Sequence, residues 1–124
     1  MSYKNEPRTK QGRAKYRNKV VNNVFGRFDS IKEFKRYLLL REEEKIGRIK
    51  NLQRQVKFEL IPKQTDSNGK LLERACYYIA DFVYEKQGKQ VVEDVKSRIT
   101  VSVASFVIKR KLMLYKHNIA IKEV

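Results

Sequence analysis

The sequence predicts an α/β fold with a mixed sheet flanked by helices, in the order helix, three strands, helix, strand. Three observations predict it. Two segments, near residues 31–45 and 100–116, carry apolar residues at helical spacing. Between them lie three runs rich in aromatic and β-branched residues, separated by the turn signals Asn68-Gly69 and Gln87-Gly88. A final short alternating run, residues 119–124, follows the second helix. Returning through a helical crossover, it should lie parallel to the third strand.

Taken in order, residues 1–19 form a basic arm and residues 20–124 a single domain. The arm holds Lys4, Arg8, Lys10, Arg13, Lys15, Arg17 and Lys19 against one acid, Glu6, and shows no apolar periodicity. It reads as a flexible segment able to neutralise phosphates, with Lys10, Arg13, Lys15 and Arg17 as candidate nucleic-acid contacts. A merely solubilising terminus is the competing reading. Residues 20–28 suggest a short hairpin with Asn22-Asn23 at its turn. Asp29-Ser30-Ile31-Lys32-Glu33 is a helix-start signal, with Ser30 as N-cap and Glu33 three positions on. That helix should run to about Lys45 and stop at Gly47, with Ile31, Phe34, Tyr37 and Leu38 as its apolar arc and Glu33 at the rim. Strands are expected at 53–62, 71–85 and 89–96. In the second helix Val101, Ala104, Ile108, Leu112 and Tyr115 recur at helical spacing, and Lys109-Arg110-Lys111 forms a basic cluster that could also grip phosphates.

Composition narrows the functional classes. The chain has 124 residues and a formal net charge of +15, which points to a polyanionic partner, nucleic acid being the commonest. No apolar run is long enough to span a membrane, and the first residues lack the apolar stretch of a secretory signal, so an intracellular protein without a membrane partner is expected. Cys76 and His117 are the only residues of their kinds, which excludes an intrachain disulfide and a Cys/His zinc site. No Gly-x-Ser-x-Gly elbow accompanies His117, which is expected at a helix end. Cys76 is expected to be a reduced, packing thiol.

The informative residues are acids placed where strands should be apolar. Asp81 interrupts Tyr78-Ile79-Ala80-Asp81-Phe82-Val83-Tyr84. An ionised carboxylate there is costly unless it is paired or binds a metal. Asp94 and Lys96 on the next strand share a face by the period-two rule. Two carboxylates and an ammonium can therefore converge near adjacent strand ends. Hard divalent cations favour such oxygen donors, and Lys96 could orient a water or pair with a phosphate. A structural Asp81–Lys96 ion pair with Asp94 in solvent competes with this reading, and backbone capping alone would explain Glu33.

These residues, in this order, resemble the PD-(D/E)XK nuclease superfamily, whose shared core is the restriction-endonuclease-like αβββαβ arrangement. The matching positions are Asp81, Asp94-Val95-Lys96 and, on the first helix, Glu33. Ala80 stands where the superfamily has its variable Pro. More closely, Phe28-Asp29-Ser30-x-x-Glu33, Gln55-Val56-Lys57-Phe58, Tyr78-Ile79-Ala80-Asp81-Phe82-x-Tyr84 and Val92-Glu93-Asp94-Val95-Lys96 look like a family of small phage-encoded proteins placed among Holliday-junction-resolvase-like nucleases. The resemblance covers roughly residues 12–124, and departs at Ser97, where many relatives carry Gly.

It implies an endodeoxyribonuclease dependent on Mg²⁺ or Mn²⁺ that cuts DNA, with branched DNA as the expected substrate and a homodimer as the form able to resolve a junction. Asp81, Asp94, the Val95 carbonyl and Glu33 would hold the metal, Lys96 would help activate water, and Gln55 would support the site. If the chain is phage-encoded, its compartment would be the host cytoplasm. A non-catalytic DNA- or RNA-binding protein on the same fold is the alternative.

Overall fold

The structure, a computed structural model, describes residues 19–97 and 103–124. A boundary between Leu38 and Leu39 divides the described residues into two compact units.

The first unit begins with a hairpin, β1 (Val21–Asn23) and β2 (Gly26–Phe28). Its turn falls at Val24-Phe25, two residues later than Asn22-Asn23. The Asn23 side chain explains the shift: its Oδ1 accepts the Phe25 N–H at 2.9 Å, closing an Asx turn, and Gly26 follows at φ 116°. Helix α1 spans Ile31–Lys45 and crosses the unit boundary. It starts where Ser30 and Glu33 foretold. Ser30 Oγ accepts the Glu33 N–H at 3.0 Å, and Glu33 Oε1 accepts the Asp29 N–H at 3.1 Å. Phe25, Phe28, Phe34 and Tyr37 form an aromatic cluster with ring centroids 5.0–6.3 Å apart. Ile31 and Leu38, expected in the apolar arc, are exposed instead. The helix ends at Gly47, whose φ of 83° lets the Arg48 N–H reach back to the Glu43 carbonyl.

The second unit is built on a four-stranded mixed sheet of order β3-β6-β7-β8. β3 (Lys50–Ile61), β6 (Cys76–Lys86) and β7 (Lys89–Asp94) are antiparallel neighbours. β8 (Lys122–Glu123) lies parallel to β7, as a helical crossover requires. Between β3 and β6 the chain makes a small hairpin, β4 (Gln64–Thr65) and β5 (Leu71–Glu73). Asp66 organises its tip by accepting the Asn68 and Lys70 N–H groups, with Gly69 at φ 85°.

Helix α2 (Ala104–His117) packs on β3. The expected start near residue 100 falls outside the described residues. Its buried face corrects the expected spacing: Phe106 and Met113 are buried, whereas Ile108 and Tyr115 are 57% and 87% exposed. Phe106 and Met113 are seven residues apart and so share a face. They join Leu60, Tyr78, Ala80, Val83, Val92 and Ile121 in the core. Cys76 is a free thiol packed against this cluster. His117 lies at the helix end, its Nε2 2.7 Å from the Glu59 carbonyl oxygen and its ring edge-on to Phe58.

Candidate functional site

β6 and β7 place the two aspartates. Their register pairs Phe82 with Glu93, so one step further Asp81 stands across from Asp94 at the end of β7. The alternation of side chains is interrupted here. Tyr78 and Ala80 belong to the core cluster, and so does Val83. The inward-facing parity therefore switches within the stretch that holds Asp81. On β3, opposite Asp81, Gln55 has φ 53°, a left-handed conformation rare for a residue inside a strand. That costs on the order of 1 kcal/mol and is characteristic of sites where geometry is imposed.

The interruption orients both carboxylates. Asp81 Oδ2 accepts the Val95 N–H at 2.8 Å, and the Gln55 Nε2 approaches Oδ1 at 3.4 Å. Asp94 is 3% exposed. Its Oδ2 accepts the Tyr78 hydroxyl at 2.9 Å and lies 3.4 Å from Lys96 Nζ. The ammonium also sits 4.5 Å from the centroid of the Phe106 ring. A carboxylate this buried would cost several kcal/mol if unpaired, and the phenol and ammonium offset that cost. Tyr78 is pushed well above the ordinary phenol range, first by burial, then by the charge of Asp94 and its hydrogen bond, then by Asp81 and Glu123. It remains a protonated donor to Asp94 at any working pH.

Backbone bonds fix the Asp94-Val95-Lys96 segment. The Val124 N–H donates to the Asp94 carbonyl at 3.0 Å, and the Lys96 N–H donates to the Val124 carbonyl at 3.1 Å. Glu93, the neighbouring acid, points to the opposite face, where it is fully buried, accepts the Tyr84 hydroxyl and faces Lys122 at 3.8 Å. The Asp94–Lys96 pairing settles which acid shares a face with the lysine. It also replaces the competing reading's solvated Asp94 with a buried one.

Asp81, Asp94, Val95, Lys96 and Gln55 thus come together where β7 ends beside the middle of β6. Glu33 belongs to the first unit, where it is 2% exposed and closes the capping box. The residues of the Lys109-Arg110-Lys111 cluster on α2 diverge. Lys109 lines a cavity with Asp94 and Lys96, Arg110 pairs with Glu123 at 3.5 Å, and Lys111 is exposed. Lys10, Arg13, Lys15 and Arg17 lie outside the described residues. Sequence reasoning missed Tyr78 and Phe106. Both read as ordinary core aromatics, and no motif spacing distinguishes the one that touches a carboxylate.

Among the described residues no three His, Cys, Asp or Glu side chains converge on one point. The donor set is two carboxylates beside a peptide group. That suits a hard cation keeping several waters and sharing a substrate phosphate, and does not suit zinc.

The molecule is a mixed α/β protein with two aspartates and a lysine near the end of β7. Residues 13–123 match the family described as "Protein of unknown function (DUF1064)", and the chain belongs to that family. Comparison with curated proteins and with solved structures gives no match. No helix among the described residues is long and apolar enough to cross a membrane.

Proposed function

We propose that this chain is an endodeoxyribonuclease dependent on Mg²⁺ or Mn²⁺, of the PD-(D/E)XK type, that hydrolyses phosphodiester bonds in branched DNA. The observation that carries the reading is the pairing of Asp94 with both Tyr78 and Lys96 beside an Asp81 held by the Val95 N–H. A protein of net charge +15 that binds DNA by charge alone gains nothing from carboxylates turned toward the phosphates. The non-catalytic DNA- or RNA-binding alternative leaves the buried Asp94 and the left-handed Gln55 without a purpose.

In this reading Asp81, Asp94 and the Val95 carbonyl hold the metal. When bound, it would neutralise charge on the phosphodiester and acidify a water. Lys96, fixed between Asp94 and Phe106, orients the attacking water or pairs with the scissile phosphate. Gln55 keeps the Asp81 carboxylate turned to its place. Lys109 engages a flanking phosphate, as does the basic arm. A role for Glu33 in the chemistry rests on the resemblance alone. Resolving a four-way junction takes two cuts, which calls for a homodimer on that substrate.

The test incubates the protein with a four-way junction, a flap and a linear duplex, each with Mg²⁺, Mn²⁺ or EDTA. Metal-dependent cutting by wild type, absent in Asp81→Ala, is expected, with the junction cut fastest. Identical behaviour of wild type and Asp81→Ala on all three substrates would overturn the enzyme reading. Glu33→Gln joins the panel because glutamine also closes a capping box. Slower cutting at an unchanged melting temperature would give Glu33 a part in the chemistry.

A further inference from the structure

Beside Asp94 and Lys96 the cavity, of about 240 Å³, is lined by Tyr77 and Ile79 from β6 and by Phe106 and Lys109 from α2. Tyr77 and Ile79 are 38% and 50% exposed, so the core does not account for them. Their neighbours Tyr78 and Ala80 do that work, each nearly inaccessible. Lys57, on the adjacent strand, places its Nζ 4.3 Å from the centroid of the Tyr77 ring. An exposed ring therefore lies in the wall of the cavity that holds the acid–lysine pair, with Lys57 and Lys109 nearby and no acid but Asp94 in the lining.

We infer that Tyr77 is the platform on which a base of the substrate stacks next to the reacting phosphate, so that the substrate is DNA carrying an unstacked nucleotide at the cleavage point. This rests on the nuclease reading and narrows its substrate. The argument turns on where free π-faces occur. A base inside a continuous duplex is stacked on both sides, and a protein ring reaches its face only after the base leaves the stack. Flaps, branches and junction centres supply such bases at little cost. Base–aromatic stacking tolerates any sequence, because every base has a face to offer. Lys57, already over the ring, and Lys109 across the cavity are placed to take the phosphates flanking that nucleotide.

The experiment uses the full chain in EDTA, so that binding is read without cutting. The probe is a duplex with a short unpaired branch bearing 2-aminopurine at its first unpaired position, with a fully paired duplex as control. Wild type and Tyr77→Phe should quench the fluorophore. Tyr77→Ala should not, and should bind the branched probe about tenfold more weakly, with the paired duplex changed less than about twofold. Tyr77→Leu keeps apolar bulk without the ring and serves if the alanine variant melts early. Quenching and affinity in both ring-less variants equal to wild type would overturn the inference.

Cleavage with Mg²⁺ or Mn²⁺ separates this result from the enzyme reading. If wild type cuts but Tyr77→Ala keeps the same preference for the branch over the duplex, the platform fails and the nuclease stands. If nothing is cut while the ring-dependent quench persists, the platform stands on a binding protein.

Discussion

The Asp94 carboxylate is held by two groups of different character, a phenol and an ammonium, both meeting Oδ2. Removing the phenol isolates its share. Tyr78→Phe keeps the ring in the core and leaves Asp94 short of one donor, which should cost about 1–3 kcal/mol of stability near neutral pH. On the nuclease reading the same variant should cut DNA about tenfold more slowly and need more Mg²⁺ for half-maximal rate, because Lys96 alone then orients the carboxylate. The pH dependence has a definite sign. The folded state holds Tyr78 protonated, well above its ordinary value of 10.0. Below that value both states carry the proton and the stabilisation is complete. As pH rises past it the unfolded chain ionises first, and stability falls by about 1.4 kcal/mol per unit. Phenylalanine has no such loss. Denaturant titrations should therefore show the gap between wild type and Tyr78→Phe closing above pH 10, and a constant gap would contradict the assignment. At this scale the sequence exposed Asp81, Asp94 and Lys96, because charge in an apolar strand and a two-residue offset are visible in one dimension. It concealed Tyr78, whose role depends on a parity switch that brings an even-numbered residue onto the face of Asp94.

Among the elements, strands and turns were the most legible and the facing of α2 the least. Asn68-Gly69, Gln87-Gly88 and Gly47 mark their turns through backbone geometry that few other residues accept, and all three glycines have positive φ. α2 is different because apolar residues lie on more than one side of it. Counting apolar positions selects Ala104, Ile108, Leu112 and Tyr115, of which only Leu112 packs against the core, while the buried residues are Phe106 and Met113. The polar positions between them are compatible with the inner edge because Lys109 turns to the cavity and Arg110 to Glu123. The two facings predict opposite outcomes. Met113→Ala empties a site with no solvent exposure and should lower stability by about 2–5 kcal/mol. Tyr115→Ala, at a site 87% exposed, should change it by less than about 0.5 kcal/mol. Thermal or urea unfolding of the two variants decides between them, and a reversed order would place the other face inward. Because Phe106 also meets Lys96, a loosened α2 should carry a loss of cleavage with it.

For the molecule as a whole, charge is the dominant physical fact, and its distribution along the chain is uneven. The net charge is +15, and seven of the 29 Lys and Arg residues fall before residue 20, against a single acid. The candidate site draws on only a few cations, chiefly Lys96, Lys109 and Lys57, and Arg110 is engaged with Glu123. On the nuclease reading, affinity for DNA and selection of a cleavage point would therefore belong to different parts of the sequence. Counterion release gives this division a measurable form. Each phosphate neutralised on duplex DNA steepens the dependence of log affinity on log salt by about 0.9. Replacing Lys10, Arg13, Lys15 and Arg17 together by Gln should make the slope shallower by roughly 3–4 if all four engage phosphates. The weakening should apply equally to branched and paired DNA, since phosphate contacts carry no structural preference. Cleavage at saturating protein should keep both its metal dependence and its preference for a branch. Anisotropy titrations between 50 and 200 mM salt would measure the slope, and gel assays the cleavage. An unchanged slope would reduce the arm to a solubilising terminus. A lost branch preference would mean that these cations, and not the cavity beside Asp94, read the shape of the substrate.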